Sequence, residues 1–184
     1  IFYSPTPRLR ANFTLNTDFA QTEVDQRQVN LTRFSLFFPE KRDFFLEGAN
    51  FFDFRSTAEG DPDTRAYPFF SRNIGLNGGE PQKIVYGVKL TGQVGKQDIG
   101  ALQVRTGEDQ GAPAEDFTVL RLKRRWLSQS YFGGMLTRRD PSGNAKALYT
   151  MGVDGLFSTR HFLGTQNFEG GAFLMSTSTP EGIS

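Results

Sequence analysis

The clearest regularity along the chain is an alternation of apolar and polar positions with a period of two. Leu9, Ala11, Phe13 and Leu15 alternate with Arg10, Asn12, Thr14 and Asn16, which predicts a strand with one apolar and one polar face. The pattern returns downstream. Ile84, Tyr86, Val88, Leu90 and Val94 form a row opposite Lys89, Thr91 and Gln93, and Leu102 and Val104 stand opposite Gln103 and Arg105. Leu120, Leu122 and Trp126 oppose Arg121, Lys123 and Arg125, and Tyr149, Met151, Val153 and Phe157 oppose Thr150, Asp154 and Ser158. Phe132 to Arg138 and Phe168 to Ser176 read as further strands. Divided by Gly, Asp, Pro and Ser, such segments predict antiparallel sheet. Ile1 to Arg8, broken by Pro5 and Pro7, reads as a lead-in, Arg55 to Ala66 as a loop, and Thr179 to Ser184 as a turn.

One stretch breaks the alternation. Asn30 to Phe54, NLTRFSLFFPEKRDFFLEGANFFDF, crowds eight of the 19 Phe around Glu40, Lys41, Arg42, Asp43 and Glu47, so rings must be buried where charges pair or stay wet. This predicts a plug-like insertion packed against or inside the β structure. Asn30 and Pro39 are candidate starts for short helical turns, with Gly48 as a stop. Arg33, Glu40, Lys41, Arg42 and Glu47 are expected to form an ion-pair and hydrogen-bond network that fixes the insertion to the wall.

With LNTDFAQTEVD before it and FFSRNIGL after it, this stretch resembles a bacterial family of unknown function. Members of that family are outer-membrane β-barrel domains that follow a periplasmic module like carbohydrate-binding family 9. The resemblance is strongest from Leu15 to Leu76 and continues more loosely to about Phe157. Asp43 stands where the family pattern has Pro, and the family's sugar-binding module is not read within these 184 residues. The resemblance implies a cell outer membrane location, outer-membrane lipid as partner, and an envelope or extracellular glycan as ligand.

Composition agrees with a folded β chain: 37% hydrophobic, 22% charged, 14% aromatic and 20 Gly in 184 residues suit pleated faces and turns. A net charge of +1 gives no whole-chain field for nucleic acid, and zero Cys excludes disulfides and thiolate metal sites. No apolar run approaches the roughly 20 residues of a membrane helix, but a barrel strand needs only about 9 to 11. Ten residues at about 3.3 Å each, tilted about 45°, cover about 23 Å, the height of a barrel's apolar band. The start lacks a signal peptide, which reads as a mature, trimmed or fragmentary chain. Trp126, Tyr131 and Tyr149 near strand ends suit an interfacial girdle.

The expected fold is therefore all-β: an antiparallel transmembrane barrel, single-domain over 1–184, with 30–54 as the plug. Lys89, Gln93, Arg105, Arg121, Lys123 and Asp154 are expected to face a wet lumen. Seven or eight strands cannot close around such an insertion, so the barrel is expected to be partial and the sheet open.

Catalytic signals are thin. His161 is the sole His and reads as a turn residue. Glu40 and Glu47 stand beside cations that favour ion pairing over acid–base work, and Asp61 with Asp63 reads as a solvated turn rather than a calcium loop. RLKRRW from Arg121 has a nucleic-acid-like composition, but alternation splits its charges between faces. No catalytic residue, metal or cofactor is assigned. The leading reading is a non-enzymatic outer-membrane barrel protein for anchoring and glycan capture or passage. A soluble β-sandwich carbohydrate-binding module and a carbohydrate-active hydrolase remain open beside it.

Overall fold

The computed structural model describes residues 1–17, 40–54, 67–77, 80–108, 112–127, 129–143, 146–179 and 182–183. The protein is all-β and antiparallel. Its strands are β1 (Phe2–Thr6), β2 (Leu9–Thr17), β3 (Leu76–Asn77), β4 (Glu80–Pro81), β5 (Ile84–Val94), β6 (Gln97–Thr106), β7 (Glu115–Arg125), β8 (Tyr131–Pro141), β9 (Leu148–Phe162), β10 (Gln166–Thr179) and β11 (Gly182–Ile183). Nine of them form one sheet in the order β1-β2-β5-β6-β7-β8-β9-β10-β11, while β3 and β4 make a separate small hairpin. The sheet is an up-and-down meander except at β2–β5, where the insertion intervenes. It is open: among the described residues no strand joins its two edges. The lead-in expected at the N-terminus is instead the edge strand β1, which pairs Tyr3 with Ala11 and Thr6 with Leu9 around an irregularity. An edge tolerates Pro5, whose missing N–H removes nothing from the ladder.

Register assigns every side chain to one of two faces. Asn12, Lys89, Leu102, Val119, Thr137, Thr150 and Thr177 are successive cross-strand partners and share the face covered by residues 40–54 and 67–75. Arg121, Met135, Gly152 and Asp154 lie on the same side. The core is here: Phe45, Phe52 and Phe54 from the insertion and Ile74 meet Ile84, Leu102, Val104, Phe117, Val119 and Met135 from the sheet.

Three expectations about faces need correction. Leu102 and Val104, read as one row with the other apolar positions, point to the covered face, which puts Gln103 and Arg105 on the open one. Arg105 therefore does not share a face with Lys89; it pairs with Asp116 across the open side. Ile84 also faces the core, because the register shifts between Ile84 and Tyr86. Tyr131 points to the covered face and not to a girdle, since it stands opposite Arg125 and Leu156 in the ladder.

Rings approach the sheet where the sheet has no side chain. A Cβ at Gly87 would lie 2.9 Å from Phe44, at Gly100 3.0 Å from Phe52 and at Gly152 2.8 Å from Phe54. Gly134, on the open face, would meet nothing nearer than 3.7 Å. Gly100→Leu is thus expected to lift Phe52 off the sheet and lower stability by about 1–3 kcal/mol, while Gly134→Ala stays within about 0.5 kcal/mol. Denaturant unfolding of the two variants checks this; equal midpoints would remove the close-approach account.

Candidate functional site

The site is the seat of the insertion on the sheet. Its backbone makes two single turns, an α-turn at Asp43–Leu46 and a 3-10 turn at Ala49–Phe52. Gly48 joins them with φ 71°, and a Cβ there would sit 2.7 Å from the Thr91 hydroxyl, so both backbone and space call for Gly. Turns this short leave most of their carbonyls without partners in the chain's own ladder. The sheet supplies them. Lys89 Nζ donates to the carbonyls of Phe44 and Glu47. Lys123 Nζ donates to Asn50 O at 3.3 Å, and Arg121 Nε to Asp53 O at 3.1 Å. The accepted carbonyls recur every third residue, the repeat of a 3-10 turn, so one edge of the insertion is stitched to cations from β5 and β7.

The same cations lie near its rings. Lys89 stands 5.0 Å from the Phe44 ring centroid and Arg121 5.3 Å from that of Phe54, which adds a cation–π attraction in a dry setting. Arg121 also forms a two-pronged pair with Asp154, at 2.6 and 2.8 Å, with both side chains at 0% exposure. Tyr131 donates its hydroxyl to Asp154 Oδ2 at 3.2 Å. This pair satisfies both charges where water does not reach them.

The insertion's own charges divide into two knots. In the first, Arg42 bonds Glu40 through Nε and Nη2, both at 2.8 Å, and donates to Ile74 O at 2.6 Å and Ser71 O at 2.8 Å. Ser71 Oγ donates to Glu40 at 2.6 Å, and Arg42 lies 4.2 Å from the Phe45 ring. The knot ties the insertion to the 3-10 turn Ser71–Asn73. In the second, Glu47 accepts from Arg10 and Asn12 of β2. Burial pushes the Glu40 carboxyl up, but hydrogen bonds from Arg42 and Ser71 outweigh it and hold the pKa below the usual 4.5. Glu47 is likewise held low, desolvation being outweighed by Arg10 and Asn12. Asp53 goes the other way, raised by burial despite Lys123 and Arg121.

The residues singled out from sequence are therefore brought together in part. Glu40 and Arg42 pair, whereas Glu47 belongs to a separate knot. Lys41 is exposed and donates its backbone N–H to Glu40 at 3.1 Å, and Arg33 lies outside the described residues. Asn30, Pro39, Asp61 and Asp63 do too. Lys89, Arg121, Lys123 and Asp154 meet the insertion or its anchors, and Gln93 shares their face near the turn end. Arg10, Asn12, Ser71 and Tyr131 join the site without having been singled out for it; the polar row of β2 was the available signal for the first two. Among the described residues no cluster of three or more His, Asp or Glu could hold a metal.

Two outcomes follow. Arg121→Met is expected to cost about 3–5 kcal/mol because the buried Asp154 carboxylate loses its guanidinium, and adding Asp154→Leu should recover much of that; denaturant midpoints of the single and double variants check it. For Glu40, a folded pKa below 4.5 means that its stabilisation is complete above that value and is lost as pH falls through the lowered one. Thermal midpoints of the parent should fall in acid more steeply than those of Glu40→Gln, and the two curves should converge.

Residues 9–85 match a family described as Domain of unknown function (DUF5916). The matched span runs from the start of β2 through the insertion into the first residues of β5, and so contains the insertion with one of the strands on which it rests. No curated protein and no solved structure matches the chain. What the comparison shares with this protein is the strand-and-insertion unit, similar to a family whose function is not established.

Proposed function

We propose that the sheet is part of the wall of an outer-membrane β-barrel, with residues 40–54 seated inside as a plug, and that the protein is non-enzymatic. The observation that carries this reading is that the covered face, besides the apolar core under the insertion, holds buried charges, while the middle of the open face is a band of exposed apolar side chains. The face that is covered holds Lys89, Arg121 and Asp154 at 1%, 2% and 5% exposure, while the open face shows Leu122, Val153 and Leu174 at 52%, 57% and 73%. A sheet in water exposes polar groups and buries apolar ones. A barrel wall in lipid does the reverse. The open face also carries an apolar hollow of about 1170 Å³ between Ala101, Leu120, Leu136 and Met151, a surface that acyl chains can wet.

The apolar band is diagonal. In β2 it spans Leu9, Ala11, Phe13 and Leu15, centred on Asn12, which the ladder carries to Thr177 in β10. In β10 the band lies at Phe168, Gly170, Ala172 and Leu174, about six residues away after six strand-to-strand steps. A drift of about one residue per strand, with about 3.3 Å rise and about 4.8 Å spacing, corresponds to a tilt of about 35°. That is within the range that strands take in a closed barrel. A band level with a membrane needs this drift.

Anchoring in outer-membrane lipid, with capture or passage of an envelope glycan beside the plug, is the role that this placement supports; the glycan rests on the resemblance of the 15–76 region. The hydrolase reading loses ground because Glu40 and Glu47 are both held ionised, whereas a glycosidase acid needs a raised pKa. The soluble sandwich keeps one argument, since a second sheet packed on the open face would also cover its apolar rows.

Because the chain has no Cys, single labels need no background removal. Leu122→Cys and Lys123→Cys carrying an environment-sensitive dye, in the full-length protein folded into vesicles with brominated lipid, should differ: the first quenched, the second not. A sandwich would leave both unquenched and shield the first from aqueous iodide. On the same strand, Leu122→Arg should cost about 2–4 kcal/mol of folding in lipid, and Lys123→Gln less than about 1 kcal/mol; equal folding of the two would place this strand in water.

A further inference from the structure

The two ends of the sheet treat their cations differently. At the end that meets the 107–114 and 142–147 connections, the three arginines of the strands each have an acid, while Lys83 and Lys146 there have none among the described residues: Arg105 pairs with Asp116, Arg138 with Asp140, and Arg139 with Glu115 at 2.8 Å. At the other end, where β1–β2, β5–β6 and β7–β8 turn, Arg8, Lys96, Arg124 and Arg125 gather and only Arg125 has such a partner, Asp98 at 2.6 Å. Among the described residues no carboxylate pairs with Arg8, Lys96 or Arg124. Backbone bonds hold the three turns side by side: Gln93 N–H donates to Arg8 O at 2.8 Å and Arg125 N–H to Lys96 O at 2.9 Å, while Gln97 stands opposite Arg124.

Trp126 lies at the same rim, 66% exposed, its backbone N–H fixed to Ser130 O at 2.9 Å. Beside it a hollow of about 390 Å³ is lined by Gln93, Gly95, Lys96, Arg125 and Trp126. Cations without acids, an exposed indole and a recess between turns stand directly beyond the apolar band of β7. That is the combination found where a membrane surface carries phosphate: Arg and Lys bond its oxygens, and Trp occupies the headgroup level.

We propose that this rim docks the phosphates of anionic lipid headgroups, so that the turn end is seated in a negatively charged leaflet. The inference rests on the membrane placement proposed above and adds to it a chemical partner and an orientation. Nucleic acid fits less well, because Arg121 and Lys123 of the same basic run are used inside, against Asp154 and the insertion, and leave no extended basic stripe.

Trp126 is the sole Trp and reports on the rim alone. The full-length protein is folded into phosphatidylcholine vesicles containing equal mole fractions of either brominated phosphatidylglycerol or brominated phosphatidylcholine, with bromines near the top of the acyl chain. The anionic lipid should quench Trp126 about fivefold more strongly, the gain expected from about one well-placed cation, and the difference should shrink with salt. The variant Arg8→Gln/Lys96→Gln/Arg124→Gln should quench equally with both lipids while a dye on Leu122→Cys stays quenched as before. Equal quenching in the parent, or a preference that survives the triple substitution, would overturn the rim as a lipid-phosphate site. A dye at position 122 that no lipid quenches would instead overturn the membrane placement, so the two failures read differently.

Discussion

The arrangement depends on hydrogen bonds from cations of the sheet to backbone carbonyls of the insertion. Two single turns cannot satisfy their own ends, and a segment this rich in Phe cannot leave them to water without exposing its rings. Lys89, Lys123 and Arg121 resolve both demands, since each reaches a carbonyl that repeats every third residue and two of them also stand over rings. The Arg121–Asp154 pair belongs to the same constraint: an Arg that caps Asp53 must itself be neutralised once it is buried. The glycines beneath Phe44, Phe52 and Phe54 let the backbone come close enough for those bonds to form.

Much of the fold was legible because strand alternation is a property of side chains. The strands read from Leu9, Ile84, Leu120, Phe132, Tyr149 and Phe168 are all present, as is the openness of the sheet. Alternation states that two faces differ, but not which of them is covered. On β7 the apolar row is open and on β6 it is buried, so Arg105 and Leu102 were assigned by analogy with neighbours and came out reversed. The insertion decides parity on β6, because its Phe rings need an apolar floor there. The stitching was not legible at all: its acceptors are carbonyls, identical at every residue, and only the turn geometry selects Phe44, Glu47, Asn50 and Asp53. Gly48 was read as a stop, while its left-handed backbone makes it the joint between two turns.

The two charge knots show why crowding in sequence is a poor guide to partnership. Glu40 and Glu47 are seven residues apart, yet a turn of backbone sends one toward Ser71 and the other toward β2. Each then fastens the insertion to a different neighbour. The seat is a three-point attachment, to the 71–74 segment, to β2 and to the β5–β7 floor, which resists rotation as well as withdrawal.

The open edges of the sheet carry a consequence for how such a wall is made. In water an unpaired strand edge is hydrated, but in hydrocarbon each bare N–H or C=O costs several kcal/mol. A strand the length of β10 presents several such groups. Under the placement proposed here, the sheet cannot cross into lipid and find its neighbouring strands afterwards, because the intermediate would be prohibitively high in energy. Edge pairing and lipid entry are then a single concerted event, and the plug, already fastened to the wall at three points, is carried across with it rather than threaded in later.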